Sequence, residues 1–447
     1  MTDDALGDDD TTALVARLRR REVSPAELRT AVAERLAVVD PTVRGLGLDR
    51  TGAPVVGNPD GPLAGVPTLV KENTDVAGWS TTNGSAAYVP TPSAAHSAVT
   101  HQLLAAGLDL VGTSRMPEFG LNATTEFVDA EPTCNPHDPA YSAGASSGGA
   151  AALVAAGAVP LAHANDGGGS IRIPAAACGL VGLKPGRGRL ARSAHGRLMP
   201  IDLVADGVVT RTVRDSALAF AAFSGELRVE GPGRRLRVGV VLHSPAGGEV
   251  DAATRAAVRR SAAALEAAGH RVEPHTPAVG KAFVDDFLVY WGMLAFSIAA
   301  GGRAAFGPSF DRSRLDPLTR GLARHFRTAG PRRPGFLRRL RALPYAEEFT
   351  HHDVLLSPVL AHRTPPLGWL NPAVPFDELA ERLVRYVGFT PLQNVAGAPA
   401  IAVPAGWDGR LPVGVQIAGL PGDEATLLEL AFELEAAERV FAPVRSA

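Results

Sequence analysis

Apolar residues along this chain recur at helical spacing in some stretches and at strand spacing in others, and the two kinds of stretch alternate. Leu14, Val15 and Leu18 share one face of a helix predicted from about Thr11 to Arg21. Ser24-Pro25-Ala26-Glu27 opens a second helix, with a cap residue, a proline at the first helical position and a glutamate three after the cap. Pro41 to Pro62 reads as loop. Leu63 to Asn73 then reads as a short buried strand ending at Lys71. Ser93 is expected to cap a helix running to Ala106, Gly107 to stop it, and Leu108 to Gly112 to follow as a strand, the second half of a crossover unit.

The same alternation continues to the end of the chain. Thr113 to Pro139 is irregular, Ala150 to Ala156 helical, and Val159 to Ala164 a strand that runs almost into Ser170. Leu236 to Leu242, Asp251 to Ala268 and Arg271 to Glu273 form strand, helix and strand, with Gly269 as the stop. Asp353 to Pro358, Ala400 to Pro404 and Val413 to Ala418 read as strands that rejoin the sheet begun near Lys71, and Glu424 to Ala437 as a closing helix. Repeated strand–helix alternation predicts an α/β fold, and no internal repeat is visible.

Composition narrows the classes. With 447 residues, 46% hydrophobic and 20% charged, the chain can bury a large core, and a net charge of −2 gives no bulk attraction to nucleic acid or membrane. The acidic start, MTDDALGDDD, reads as a disordered tip and lacks the features of a signal peptide. No apolar run reaches the ~18 residues of a membrane span, so a soluble, cytoplasmic protein is expected. Cys134 and Cys178 are too few for a disulfide scaffold and lack metal-ligand spacing; they are expected to be reduced and partly buried. No HExxH or Walker lysine loop occurs, so neither a zinc hydrolase nor a P-loop enzyme is expected. Aromatic residues from Phe283 to Phe310 precede an arginine cluster of Arg324, Arg327, Arg332, Arg333, Arg338, Arg339 and Arg341. That cluster reads as a solvated helical face, against the alternative of contacts to an anionic substrate or acidic partner.

Candidate chemistry concentrates between Ser142 and Pro185. Ser146 lies in Gly144-Ala145-Ser146-Ser147-Gly148-Gly149, and Ser170 follows Asp166-Gly167-Gly168-Gly169, 24 residues later. Three small N–H groups before a serine can form a nest for an oxyanion. Gly144 to Gly148 matches GxSxG, but a turn-rich segment rather than a strand precedes Ser146, which argues against a nucleophile elbow. Of 44 basic residues only Lys71, Lys184 and Lys281 are lysines. Lysine, unlike arginine, can lose its proton when desolvated, so Lys71 and Lys184, in apolar glycine-rich surroundings, are candidate bases. A serine activated by lysine follows, with the choice of serine and of lysine left open by the residues themselves.

The segments Gly65 to Asn73, Gly144 to Ala152, Asp166 to Ala175 and Cys178 to Pro185 closely resemble the amidase signature family, and the likeness extends over nearly the whole chain. The DGGGSIRIPA form looks most like the branch containing 6-aminohexanoate cyclic-dimer hydrolases. The resemblance implies a single α/β domain with a mixed sheet covered by helices on both faces. Its regions would be N-terminal helices at 1–60, a signature core at 61–225, a variable substrate-facing region at 226–390 and a return to the sheet at 391–447. It implies a carboxamide hydrolase with Ser170 as nucleophile, Ser146 as bridging serine after a cis Ala145–Ser146 peptide, Lys71 as base, and an oxyanion hole from Gly167, Gly168, Gly169 and Ser170. Lys184, in the family's Leu-Lys-Pro motif, is read as structural. No cofactor or metal is implied; the partner is a small-molecule amide, and a homodimer is the default assembly. Segments 118–130, 283–345 and 360–395 are expected to line the acyl pocket, with no residue assigned to substrate. Gly167, Ala145, Cys134, His137 and Gly186 depart from common family residues, and Gly167 is expected to loosen the oxyanion loop or admit a bulkier acyl group. Acyl transfer through the same acyl-enzyme, a glutamine amidotransferase subunit and a silent binding protein are the alternatives.

Overall fold

The computed structural model describes residues 4–192 and 199–437. Among them eleven strands form one mixed sheet: β1 Leu46–Asp49, β2 Pro67–Lys71, β3 Asp109–Ser114, β4 Leu161–Asp166, β5 Val181–Lys184, β6 Ala205–Thr210, β7 Arg237–Val240, β8 Arg271–Pro274, β9 Val354–Pro358, β10 Ala400–Asp408 and β11 Leu411–Ala418. Their order is β1-β3-β2-β4-β6-β5-β10-β11-β9-β7-β8. Every residue of β2, β3, β4 and β5 is buried, which explains why these strands read as near-continuous apolar runs rather than as alternations. The last strands do rejoin the sheet, through β10 paired to β5.

What matters for function is that β2 and β4 are parallel neighbours with Leu69 opposite Ala162. Both carboxyl ends therefore emerge at the same edge, and the register carries Lys71 to the level of Ala164. Ligands in such sheets bind beyond the carboxyl ends of parallel strands. The helix Gly148–Ala155 lies wholly buried behind this edge, and its small residues allow close approach: a Cβ on Gly149 would stand 2.6 Å from the backbone of Arg115.

Several local expectations are corrected. The N-terminal segment is not a disordered tip from residue 4 onward, because Asp4 pairs with Arg35 at 2.6 Å and Leu6 is buried; residues 1–3, like 438–447 of the expected closing region, lie outside the described residues. The second helix runs through Pro41 to Val43, since a proline in the last turn forfeits one hydrogen bond and Asp40 Oδ1 accepts the N–H groups of Gly45 and Leu46 to close the end. The third helix begins after Ser97 rather than Ser93. Ser93 gives its hydroxyl to Asp75 at 3.0 Å, while Ser97 accepts the Thr100 N–H. A helix unanticipated from the sequence, Arg172–Cys178, follows Ser170 directly, with Pro174 tolerated in its first turn. Finally, the helix Lys281–Phe306 is long and apolar enough to cross a membrane, contrary to the expectation that no such run exists. Its half-buried apolar side chains line the cavities described next.

Candidate active site

Lys71 ends β2 fully buried, with three oxygens around its Nζ: Ser146 Oγ at 2.6 Å, Asn165 Oδ1 at 2.8 Å and the Asn165 carbonyl at 3.5 Å. Burial pushes its pKa down to about 7, against the attraction of Asp206, Asp166 and Glu72. A neutral amine has two N–H groups and one lone pair. Both Asn165 oxygens can only accept, so the N–H groups belong to them and the lone pair is left for the Ser146 hydroxyl. Asn165 Nδ2 donates to Asn73 Oδ1 at 3.1 Å, which fixes the amide with its oxygen toward the lysine. Behind the lysine, its backbone N–H donates to His163 Nδ1 at 3.2 Å, so the proton of that ring sits on Nε2 and is donated to Asp206 Oδ1 at 3.1 Å.

Lys184 is equally buried and burial also pushes it to about 7, so titration does not separate the two lysines; geometry does. Lys184 lies on β5, separated from β4 by β6, and its Nζ donates to the Pro185 carbonyl at 2.7 Å. Lys281 is exposed and pairs with Asp285 one helical turn away. Cys134 and Cys178 are both free thiols and both buried.

The two serines meet differently from the expectation. No peptide among the described residues is cis, so the Ala145–Ser146 bond is trans, the form favoured by about 3–4 kcal/mol outside proline. In this arrangement the Ser146 backbone N–H donates to Ser170 Oγ at 3.3 Å, while the Ser146 hydroxyl faces Lys71. The glycine loop is shaped by Asp166, whose Oδ1 accepts the Gly169 N–H at 2.6 Å and whose Oδ2 accepts the Ile171 N–H at 3.2 Å. That bond removes Gly169 from the expected set of oxyanion donors, because its N–H is already spent; Gly167, Gly168 and Ser170 remain. Burial alone would raise the Asp166 carboxyl, but the Arg172 guanidinium, 2.9 Å away, holds it well below the usual carboxylate range. Gly169 sits at φ +131°, and a Cβ there would lie 2.4 Å from Thr390 Oγ1, so glycine is required. At Gly167 a Cβ would make ordinary contacts with Val204 and Trp291, and no steric demand explains glycine there.

Among the described residues, two cavities open from Ser170. One, of about 850 Å³ including its mouth, is walled by Phe287, Leu288, Leu322, Leu383 and Val384; the other, of about 1760 Å³, has Asn73, Asp75, Asn83, Met293 and Phe306 on its walls. Leu121 and Trp291 face both, and the Trp291 Nε1–H donates to the Leu121 carbonyl at 3.0 Å. The long helix Lys281–Phe306 spans both cavities, which accounts for an apolar helix that is only partly buried. All three segments expected to line a pocket contribute: Leu121, the long helix and Leu383 with Val384. The arginine cluster divides. Arg333 and Arg339 bind buried Asp286 at 2.8 and 2.6 Å, whereas Arg324, Arg327, Arg332 and Arg338 are exposed, and none of the seven lines either cavity.

Sequence reasoning did not find Asn165, His163, Asp206 or Trp291 as site residues. The available signal was polar: His163 and Asn165 interrupt an otherwise apolar buried strand directly before Asp166.

A family model described as Amidase matches residues 47–428. A Mycobacterium leprae protein named "Putative amidase AmiC" is 45% identical over 459 residues, covering 97% of this chain and 96% of its own length. The 6-aminohexanoate-cyclic-dimer hydrolase of Pseudomonas sp. is 34% identical over 471 residues, covering 96% and 94%. Among solved structures, that of a 6-aminohexanoate cyclic dimer hydrolase complexed with substrate superposes with a TM-score of 0.85 at 28% identity, over 98% of each chain.

Proposed function

The chain belongs to the amidase signature family and is an amide hydrolase, and on that premise we propose that Ser170 is its nucleophile, Ser146 the proton relay and Lys71 the base. One observation carries this reading: Ser146 Oγ lies 2.6 Å from Lys71 Nζ, and its backbone N–H, reaching Ser170 Oγ at 3.3 Å, holds the two serines side by side, so that a turn of the Ser146 hydroxyl brings it to the Ser170 proton. Lys71, neutral above about pH 7, directs its lone pair at that hydroxyl.

In the scheme, Ser170 Oγ forms a bond to the amide carbonyl carbon. Its proton passes to Ser146 Oγ, whose own proton passes to Lys71 Nζ. The carbonyl electron pair moves onto oxygen, where the N–H groups of Gly167, Gly168 and Ser170 receive it, each well-placed donor contributing about 3–4 kcal/mol. Collapse breaks the C–N bond, and the departing nitrogen takes its proton back from Ser146 as Lys71 returns one. Water then attacks the Ser170 ester by the same route, releasing the carboxylic acid and restoring the serine. The relay uses no cofactor. The similarity to a 6-aminohexanoate-cyclic-dimer hydrolase supports an uncharged carboxamide substrate.

The test is covalent trapping with a fluorophosphonate, read by intact mass and peptide mapping. A single adduct on Ser170 is expected, with labelling slowed roughly 10²–10⁴-fold in Lys71→Ala. An adduct on Ser146, or one indifferent to the lysine, would instead favour the GxSxG arrangement.

A further inference from the structure

The two cavities differ in the one respect that fixes how an amide lies across Ser170. In the serine–lysine scheme, on which this inference rests, the departing nitrogen must receive its proton from Ser146 Oγ. The nitrogen substituent therefore has to lie on the side where Ser146 is found. Ser146, Asn165 and Asn73 line the larger cavity and are absent from the walls of the smaller one, whereas Ser170 lines both. The acyl side is what remains.

We infer that the smaller cavity receives the acyl group and the larger the amine, and that the enzyme selects amides of uncharged alkyl or aryl carboxylic acids.

The chemistry of the smaller cavity supports the second half of that statement. Among the described residues no charged side chain lines it. Its polar groups are already committed: Asn122 Nδ2 donates to the Leu370 carbonyl at 2.9 Å, Asn122 Oδ1 accepts the Ala123 N–H at 2.8 Å, and the Trp291 Nε1–H is held by Leu121. A charged or strongly polar acyl end would lose its water there and meet no partner. An apolar one would exchange water for Phe287, Leu288, Leu322 and Val384. The larger cavity is mixed, with Asn73, Asn83 and Asp75 among its walls, and places no such demand on the amine.

The experiment compares kcat/KM across two series of secondary amides, using the full chain. In the first, the acyl group of an N-(2-hydroxyethyl) amide grows from acetyl to hexanoyl. In the second, acetyl is kept and the N-alkyl group grows from ethyl to hexyl. Burial of a methylene at about 0.8 kcal/mol corresponds to about fourfold in rate. The acyl series should therefore rise on the order of a hundredfold, and the N-alkyl series by less than about tenfold. The 6-aminohexanoyl amide, carrying a terminal cation, should fall at least tenfold below hexanoyl. Val384→Phe, which narrows the smaller cavity, should cut the hexanoyl-over-acetyl ratio at least tenfold; Met293→Phe, in the larger, should not. Methanesulfonyl fluoride labelling of Ser170 in each variant reports whether fold and nucleophile survive. Labelled enzyme whose preference follows the N-alkyl series, or which accepts the 6-aminohexanoyl group as well as hexanoyl, overturns this assignment and leaves the relay standing. Unlabelled wild-type Ser170 overturns the relay and the assignment together.

Discussion

At the scale of single residues, the proposed relay depends on one amine being neutral near pH 7 and aimed correctly. Burial lowers Lys71, and Asp206 is the largest of the attractive charges opposing that shift. Asp206 also holds His163, which in turn receives the Lys71 backbone N–H. Asp206→Asn should retain the hydrogen bond from His163 while removing the charge, so the lysine pKa should fall further. Since the neutral amine is the base of the proposed relay, wild-type kcat/KM should rise with pH through about 7, and in Asp206→Asn this acidic limb should move to lower pH with the plateau largely kept. A limb that stays in place would mean that another group controls it. The residues themselves were legible to different degrees. Lys71 stood out because the chain otherwise uses arginine, and Ser146 and Ser170 because of the glycines beside them. Asn165, which orients the amine, was hidden because a polar residue in a buried strand carries no mark of what it faces. The loss of Gly169 as an oxyanion donor was hidden too, since it depends on Asp166 folding back over three residues.

At the scale of elements, the helix Lys281–Phe306 sets the width of both cavities, and Asp286 fastens it to the segment carrying Arg333 and Arg339. Asp286 is buried whereas the two guanidinium groups are partly exposed, so after its removal they regain water and the cost is moderated. Asp286→Asn should lower stability in urea unfolding by about 1–2 kcal/mol. Arg327→Ala and Arg338→Ala, on the exposed part of the cluster, should stay within about 0.5 kcal/mol. Equal effects at all three positions would show that the cluster acts as one electrostatic unit. Strand–helix alternation made most elements readable, including β2, β4 and the closing helix. Boundaries were misread where side chains that are remote in sequence decide them, as at Ser93, whose hydroxyl is claimed by Asp75. The long helix was not read as an element, only as a run of aromatics: its apolar residues divide between core, as Val289 and Tyr290, and cavity walls, as Phe287 and Leu288, and sequence pattern does not separate the two.

At the scale of the whole molecule, two buried lysines make folding depend on pH in a definite direction. In the unfolded chain Lys71 and Lys184 hold their protons up to about 10.5, whereas in the folded protein both release them near 7. Between those values the unfolded state binds more protons, so stability rises with pH and is lost as pH falls toward 7, by up to about 1.4 kcal/mol per pH unit for each lysine. Other groups oppose this. Burial raises Glu118 to about 7, a contribution that is lost as pH rises from 4.5 to 7, and burial raises the Cys178 thiol, which costs stability once unfolded thiols ionise. The window from about pH 7.5 to 8.5 lies between these effects. There the urea midpoint of the wild type should increase with pH. Lys184→Met, which keeps the length of a side chain outside the proposed relay, should increase less steeply, by about 1.4 kcal/mol per pH unit at most. Because every other titrating group is common to both proteins, the difference in slope belongs to Lys184. Parallel slopes would mean that the lysine stays charged in the fold, and that the Pro185 carbonyl and the charge of nearby Glu424 stabilise it better than its burial suggests.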